Sequence, residues 1–265
     1  MSERTDAGEE PAVVLGVDIG GTGVKGALVN LATGELIGER FRIPTPQPAT
    51  TDAIAATVAE ITRHFDWHGP IGCTFPGVVK HGVVRTAANV DPSWIGANGE
   101  EIIARATSCP VVLLNDADAA GQAEMEFGAG SGENGVALVV TLGTGIGSAL
   151  FVDRTLVPNT ELGHLEMRGK DAEKRASDRA RELKGWGWRR WSRELNKYLT
   201  MLDRLLSPDL IIIGGGVSRK ADKFLPRLDL STRVVPATLQ NEAGIVGAAL
   251  AAQILAGREP DRSPG

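Results

Sequence analysis

The chain has 265 residues, 42% hydrophobic and 23% charged, enough for two modest lobes or one large α/β domain and unlike a disordered or fibrous protein. Its net charge of −5 argues against nucleic-acid binding over the whole surface, and Cys73 and Cys109, in no paired motif, exclude a disulfide framework and a cysteine-rich zinc site. No apolar run approaches membrane-spanning length and the first ten residues lack the pattern of a secretion signal, so the expected compartment is the cytoplasm.

Met1–Glu10 and Gly257–Gly265 are polar and aperiodic and are expected to be frayed tails. Between them the chain opens on a β-hairpin: an apolar run over 12–18, glycines at 20–23 and a second run over 24–30. A third strand is expected over 36–43, then a helix capped by Thr51 or Asp52 with Ile54, Val58, Ile61 and Phe65 on one face. Strands over 71–75 and 78–84 flank Pro76-Gly77, and a helix over 99–107 leads into a strand over 111–115. That strand ends in Asn115-Asp116, with a helix through 119–127 after it and Asp118 as a candidate cap. Polar side chains at a strand's carboxyl end are where ligands of open α/β sheets bind.

A second hairpin follows, over 136–142 and 148–152, and its turn Leu142-Gly-Thr-Gly145 repeats the glycine turn of the first. Such a repeat predicts two related lobes. The stretch 170–206 reads as helical, with Trp188, Trp191, Leu195, Tyr198, Leu202 and Leu205 spaced by three or four as a core stripe or dimer contact. A strand over 210–213 runs into Gly214-Gly215-Gly216, and a small-residue helix over 244–255 closes the fold.

Gly21-Thr-Gly23-Val-Lys-Gly26 matches the dinucleotide pattern G-x-G-x-x-G, but that fingerprint needs a helix directly after the glycines, and strand and turn follow here. The remaining reading is a hairpin whose amides approach an anion, with Asp18 able to hold a water on a magnesium ion. One glycine hairpin is usually only a tight turn. Two at the heads of a repeated unit, and a third glycine cluster at 214–216, favour a phosphate cleft.

Asp18-Ile-Gly-Gly-Thr-Gly-Val-Lys25, Pro76-Gly77, Asn115-Asp116, Thr141-Leu-Gly-Thr-Gly145, Glu161-Leu-Gly-His164 and Ile213-Gly-Gly-Gly216 stand in the order seen in the ROK family of repressors, open reading frames and sugar kinases. The resemblance spans 13–255. It implies an actin-like, hexokinase-like α/β fold: two ribonuclease-H-like lobes, 12–114 with 245–257 and 115–244, around a central cleft. It further implies Asp116 as the base that takes a sugar hydroxyl's proton during phosphoryl transfer. Asn115, Glu161 and His164 would hold the sugar, with Gly77 and Asn89 at its rim. Phosphates would be cradled by Asp18, Gly20, Gly21, Thr22, Gly23 and Lys25 and by Thr141, Gly143, Thr144 and Gly145. Gly214, Gly215 and Gly216 would line the adenine region if a nucleotide binds. His64, His68 and His81 read as surface residues.

The chain departs from many members of the family after His164, where a cysteine-rich zinc loop ending in a sugar-binding Glu is replaced by the cysteine-free 165–177. No zinc is expected there, and Glu173, with Glu166 as the rival, is the counterpart of that Glu. In lacking zinc, and in Pro158-Asn-Thr-Glu161, Arg168-Gly-Lys-Asp-Ala-Glu173, the 186–191 segment and Val235-Pro-Ala-Thr-Leu-Gln-Asn241, the sequence resembles the polyphosphate-using glucokinases of the family. That implies glucose as acceptor, polyphosphate in preference to ATP as donor, with ATP use alongside it left open, magnesium as cofactor and a homodimer. An ATP-dependent kinase of glucose, mannose or fructose is the alternative. A sugar-sensing DNA-binding repressor is disfavoured, because the first strand begins about a dozen residues in and leaves no room for a helix-turn-helix module.

Ten basic residues between Arg168 and Arg193 stand against four acidic ones, so this segment is positive in a negative protein. It reads equally as a solvated face or as a track for a polyanion, with Lys174, Arg175 and Arg179 the first candidates and the two arginines on one face if the stretch is helical.

Overall fold

The computed structural model describes residues 12–87 and 90–256; the two expected tails and Asn89 lie outside the described residues. In chain order the first half holds β1 (Val13–Ile19), β2 (Val24–Asn30), β3 (Leu36–Ile43), α1 (Thr51–His64), β4 (Ile71–Phe75), β5 (Val79–Lys80), β6 (Val83–Val84), α2 (Gly99–Thr107) and β7 (Val111–Asn115). Its main sheet has the order β3-β2-β1-β4-β7, with β1 antiparallel to β2 and parallel to β4. The second half holds α3 (Asp116–Phe127), β8 (Val136–Leu142), β9 (Ile146–Val152), β10 (Thr155–Val157), α4 (Glu173–Ala176), α5 (Asp178–Leu183), α6 (Trp188–Leu206), β11 (Leu210–Gly214), β12 (Arg233–Pro236) and α7 (Ala243–Ala256). Its sheet runs β10-β9-β8-β11-β12, again with an antiparallel hairpin at its head and a parallel partner beside it. The repeat expected from the two hairpins is therefore a repeat of whole sheets.

Central strands of such sheets are covered on both faces, which is why β4 and β11 are continuous apolar or small-residue runs with every residue buried. One cover of the first sheet is α7, almost all Ala, Gly, Ile and Val. Its backbone lies directly on the strands: a methyl group on Gly72 would come within 1.7 Å of the Ala248 carbonyl oxygen, and one on Gly16 within 2.1 Å of that of Ile245. The same helix crosses α3 closely, since a methyl on Gly247 would lie 1.8 Å from the Ala119 carbonyl oxygen. At the far end of α3, the buried Glu124 carboxylate accepts from the backbone N–H groups of Ala129, Thr238 and Leu239 at 2.9, 3.1 and 2.7 Å. One side chain thus pins the approach to α7 against the end of α3.

Several local expectations need correction. The run 78–84 is not one strand but β5 and β6, folded back where His81 and Gly82 take φ of 52° and 75°, as a tight hairpin turn requires. Helix α1 is capped one residue early, by Thr50, whose hydroxyl accepts from Ala53 N–H at 3.3 Å. Helix α3 starts at Asp116, and its cap is Asn115 rather than Asp118: the amide oxygen accepts from Ala117 and Asp118 N–H at 2.8 and 3.1 Å. The stretch 170–206 is three helices. Extended Ser177 ends α4 and caps α5 through Ala180 N–H, and Gly187, also extended, begins α6.

The stripe on α6 is core. Trp191, Leu195, Tyr198 and Leu202 are fully buried together with Phe224, whereas Leu205 is exposed. Burying each large apolar side chain stabilises by roughly 1.5–3 kcal/mol, which explains why a strongly charged helix stays docked.

Candidate active site

Asp18 is the penultimate residue of β1, beside Thr74 of β4 and opposite Lys25 of β2. Its carboxylate accepts from the Thr74 hydroxyl at 2.8 Å and from Lys25 Nζ at 3.1 Å, so strand register alone fixes its direction. The turn beyond it closes through Gly20 N–H to the Gly23 carbonyl at 3.2 Å. Arg42 of β3 leans over this turn, donating to the Thr22 carbonyl at 2.9 Å, and a methyl on Gly23 would meet its guanidinium at 2.6 Å. Sequence reasoning did not single out Arg42, because its closeness to the turn depends on β2–β3 pairing.

In the second hairpin, Gly143 N–H donates to the Gly145 carbonyl at 3.1 Å and the Gly143 carbonyl accepts from Arg179 N–H at 3.0 Å. Gly215, at φ 80°, packs against Leu142, where a methyl would fall 2.4 Å from the carbonyl oxygen. The glycine cluster 214–216 therefore adjoins the hairpin that holds Thr141, Gly143, Thr144 and Gly145.

Asp116 lies between the two halves. Its side chain is reachable by water but is walled in by protein, and this enclosure is the main reason its pKa is pushed up to about 7. The nearby negative charges of Asp18 and Glu161 push the same way, while the Ala117 N–H, 2.8 Å from Oδ1, opposes them. Burial followed by Glu173 raises the Glu161 pKa, with His164 counteracting. Glu161 and His164 approach to 3.6 Å, and a methyl on Gly145 would lie 2.6 Å from the Glu173 carboxylate. Asp116 thus feels the charges of Asp18 at the first hairpin and of Glu161, and Glu161 in turn that of Glu173 beside the second hairpin. Glu166 is exposed and bridged through its backbone to Asp171.

Asn115 is largely committed within the protein. Its oxygen caps α3 and its Nδ2 donates to the Gly77 carbonyl at 3.1 Å. Gly77 is itself required, since a methyl there would come within 2.3 Å of the Thr86 carbonyl oxygen. His64, His68 and His81 are all exposed. His164, Asp171 and Glu173 bring one ligand atom each to within 4.8 Å of one another, a set of one imidazole and two carboxylates. Cys73 and Cys109 are buried in the core of the first half, away from this group.

The basic segment departs from its expected geometry. Because Ser177 interrupts the helix, Arg175 and Arg179 belong to different helices. The Arg175 guanidinium donates to the carbonyls of Met167 and Arg168 at 2.8 and 3.0 Å, and Lys174 pairs with Asp171 at 3.0 Å. Arg179 is exposed beside the second hairpin. Further out, desolvation and then the charges of Arg175, Lys170 and Arg190 lower the pKa of Lys184, which marks a local crowding of cations.

A crowded carboxyl poised near neutrality, acceptors for several hydroxyls beside it and a glycine hairpin in each half are the kinds of group that moving a phosphoryl group onto a polyol uses. The ROK family matches over residues 14–179. A polyphosphate glucokinase of Mycobacterium tuberculosis is 54% identical over 238 residues, 89% of this chain and 90% of that protein. An inorganic polyphosphate/ATP-glucomannokinase from Arthrobacter sp. strain KM superposes with a TM-score of 0.88 at 50% identity, covering 92% of this chain and 99% of the other. A ROK family glucokinase from Streptomyces griseus, solved with glucose and AMPPNP, gives 0.77 at 26% identity, over 92% of this chain and all of that one. The duplicated sheets and these likenesses make the fold actin-like and hexokinase-like. With the family match covering more than half of the chain, the protein belongs to the ROK family.

Proposed function

We propose that the protein is a glucokinase that transfers the terminal phosphoryl group of inorganic polyphosphate, and of ATP, to the 6-hydroxyl of glucose, forming glucose 6-phosphate. The observation that carries the chemistry is Asp116, raised to about 7 between Asp18 at the first hairpin and Glu161. As the sugar's O6–P bond forms and the bridging P–O bond of the donor breaks, Asp116 takes the O6 proton and the donor leaves one phosphate shorter. Asn115, Glu161, His164 and Glu173 position the sugar, with Gly77 at the rim. Glu173 is preferred to Glu166 because it lies against both Glu161 and the second hairpin.

Magnesium fits this site: Asp18 and Asp116 repel each other, and a hydrated divalent ion held through Asp18 would relieve that repulsion and neutralise donor phosphates. The amides and hydroxyls of 20–23 and 141–145 cradle those phosphates, with Lys25 beside them and Gly214–Gly216 flanking a nucleotide. No zinc is assigned, given a loop without cysteine. We place the cleft between lobes of 12–114 with 245–257 and of 115–244. The chain is assigned to the cytoplasm, and a homodimer, if formed, uses surfaces other than the buried α6 stripe; light scattering reads this directly.

Donor choice is tested by supplying polyphosphate and ATP together with glucose and measuring which donor is consumed. Consumption of ATP alone would make the protein an ATP-dependent hexokinase. Mannose is the second acceptor to assay, because the Arthrobacter relative is a glucomannokinase.

The donor's path is a separate expectation. A chain leaving the second hairpin meets Arg179 first and then the cations around Lys184. Arg175 is a poorer probe than Lys184, since its loss would release two carbonyls, at 167 and 168, whereas Lys184 holds one, that of Lys174, at 2.6 Å. Arg179→Ala with Lys184→Ala is expected to raise the KM for long polyphosphate about tenfold at low salt and to flatten its salt dependence, because fewer counterions are displaced. The glucose KM should stay within about twofold. Equal effects on long and very short chains would place the track elsewhere.

A further inference from the structure

The loop after β4 and the segment before Glu161 come from different halves of the chain yet are joined at one residue. Asn159 Oδ1 accepts from Val79 N–H at 2.9 Å, and Asn159 Nδ2 donates to the Val79 carbonyl at 2.9 Å. An amide paired this way with one residue's backbone copies the exchange between neighbouring strands, and so fixes both distance and twist. Asn159 is held for the task. It sits at φ 59°, a region Asn tolerates better than most residues, and its own N–H donates to buried Asp118 Oδ2 at 2.7 Å. The residues after it are tied to β9: Thr160 Oγ1 donates to the Ser148 carbonyl and Leu162 N–H to Ser148 Oγ, each at 3.0 Å.

From these contacts we infer that Asn159 is a positioning residue that sets the distance between the two walls of the sugar site. Two residues before Asn159's partner lies Gly77, and two residues after Asn159 lies Glu161. Asn115, at the end of β7, holds the same loop at the Gly77 carbonyl, so two asparagines, one from each half, grip 77–79 from either side of Val78. Behind the clasp lies a cavity of about 260 Å³, also walled by Leu114, Gln122 and Leu156. On the cavity side nothing replaces the amide once it is gone, and the loop is left with the Val79 side chain in the core of the first half and the Asn115 bond. This inference rests on the sugar-site reading above.

Asn159→Gly is the informative variant, because glycine accepts the positive φ and keeps the N–H bonded to Asp118 while removing only the clasp. It is expected to raise the glucose KM about tenfold, the scale of two lost hydrogen bonds, with kcat within about threefold and the polyphosphate KM unchanged. Asn159→Asp should be as impaired, since it keeps an acceptor for Val79 N–H but turns a carboxylate oxygen toward the Val79 carbonyl. An unchanged glucose KM would overturn the inference. So would a fall in kcat and melting temperature together with a rise in both KM values, which would mean a merely structural role. A wild type that phosphorylates no hexose would defeat the proposed function instead. In that case the Val79 amide still decides the clasp: faster hydrogen exchange in Asn159→Gly is expected, and unchanged exchange overturns it.

Discussion

Asp116→Asn is expected to lower kcat by about a hundredfold to ten-thousandfold while glucose still binds, the usual cost of losing a general base. The amide keeps the size and some hydrogen bonding of the carboxylate but cannot take the O6 proton. The wild-type profile of kcat/KM for glucose should fall on the acid side with an inflection near pH 7, because Asp116 works only when ionised and its pKa is about 7. The variant's residual rate should lack that inflection. Stability should move the other way. A carboxyl whose folded pKa lies above its unfolded one makes the native state lose stability as pH rises from about 4 through about 7. Above pH 7 the native state therefore carries the full penalty of an enclosed anion. Asp116→Asn should accordingly melt higher than wild type at pH 8 and no higher at pH 4. Near-normal turnover in the variant would remove Asp116 from the role of base, and an unchanged melting difference across that range would mean that the carboxylate is well solvated.

Gly72→Ala is expected to cost more than about 4 kcal/mol or to prevent recovery of folded protein. The added methyl would meet the Ala248 carbonyl oxygen at 1.7 Å, and neither partner is a flexible side chain that could step aside. β4 is hydrogen-bonded between β1 and β7, and α7 is held from its other side by α3 through the Gly247–Ala119 contact. Gly216→Ala is the control: nothing lies within 4 Å of its methyl position, and its effect should stay within about 0.5 kcal/mol. Urea denaturation of both variants checks this, and a cost below about 1 kcal/mol for Gly72→Ala would show that α7 can slide away from the sheet.

Much of this arrangement is legible in the sequence, for local reasons. The hairpins announce themselves by apolar runs around glycine turns, and Asn115-Asp116 stands at the end of an apolar strand. What escapes reading are pairings distant in sequence and contests between neighbouring residues. Nothing near position 159 names Val79 as its partner, and Arg42 reaches the first turn only through pairing of β2 with β3. Ser177 could have continued a helix or capped the next one. Its hydroxyl bond to Ala180 N–H decides for the cap, and that choice separates Arg175 from Arg179. Why glycine stands at positions 16 and 72 of buried strands becomes visible only with α7 lying on them.

That placement of α7 also governs the order in which the chain can mature. The face of the first sheet built from Val14, Ala27 and Val29 packs against Ile245, Val246, Ala249 and Ala252, which are synthesised after every other described element. At 5–20 residues per second, roughly ten to fifty seconds of translation separate β1 from its cover. The second sheet is under no such delay on its α6 side, because α6 emerges before β11. During synthesis the half that is made first is therefore finished last, and nascent chains stopped before residue 243 present a bare apolar sheet face to chaperones and proteases.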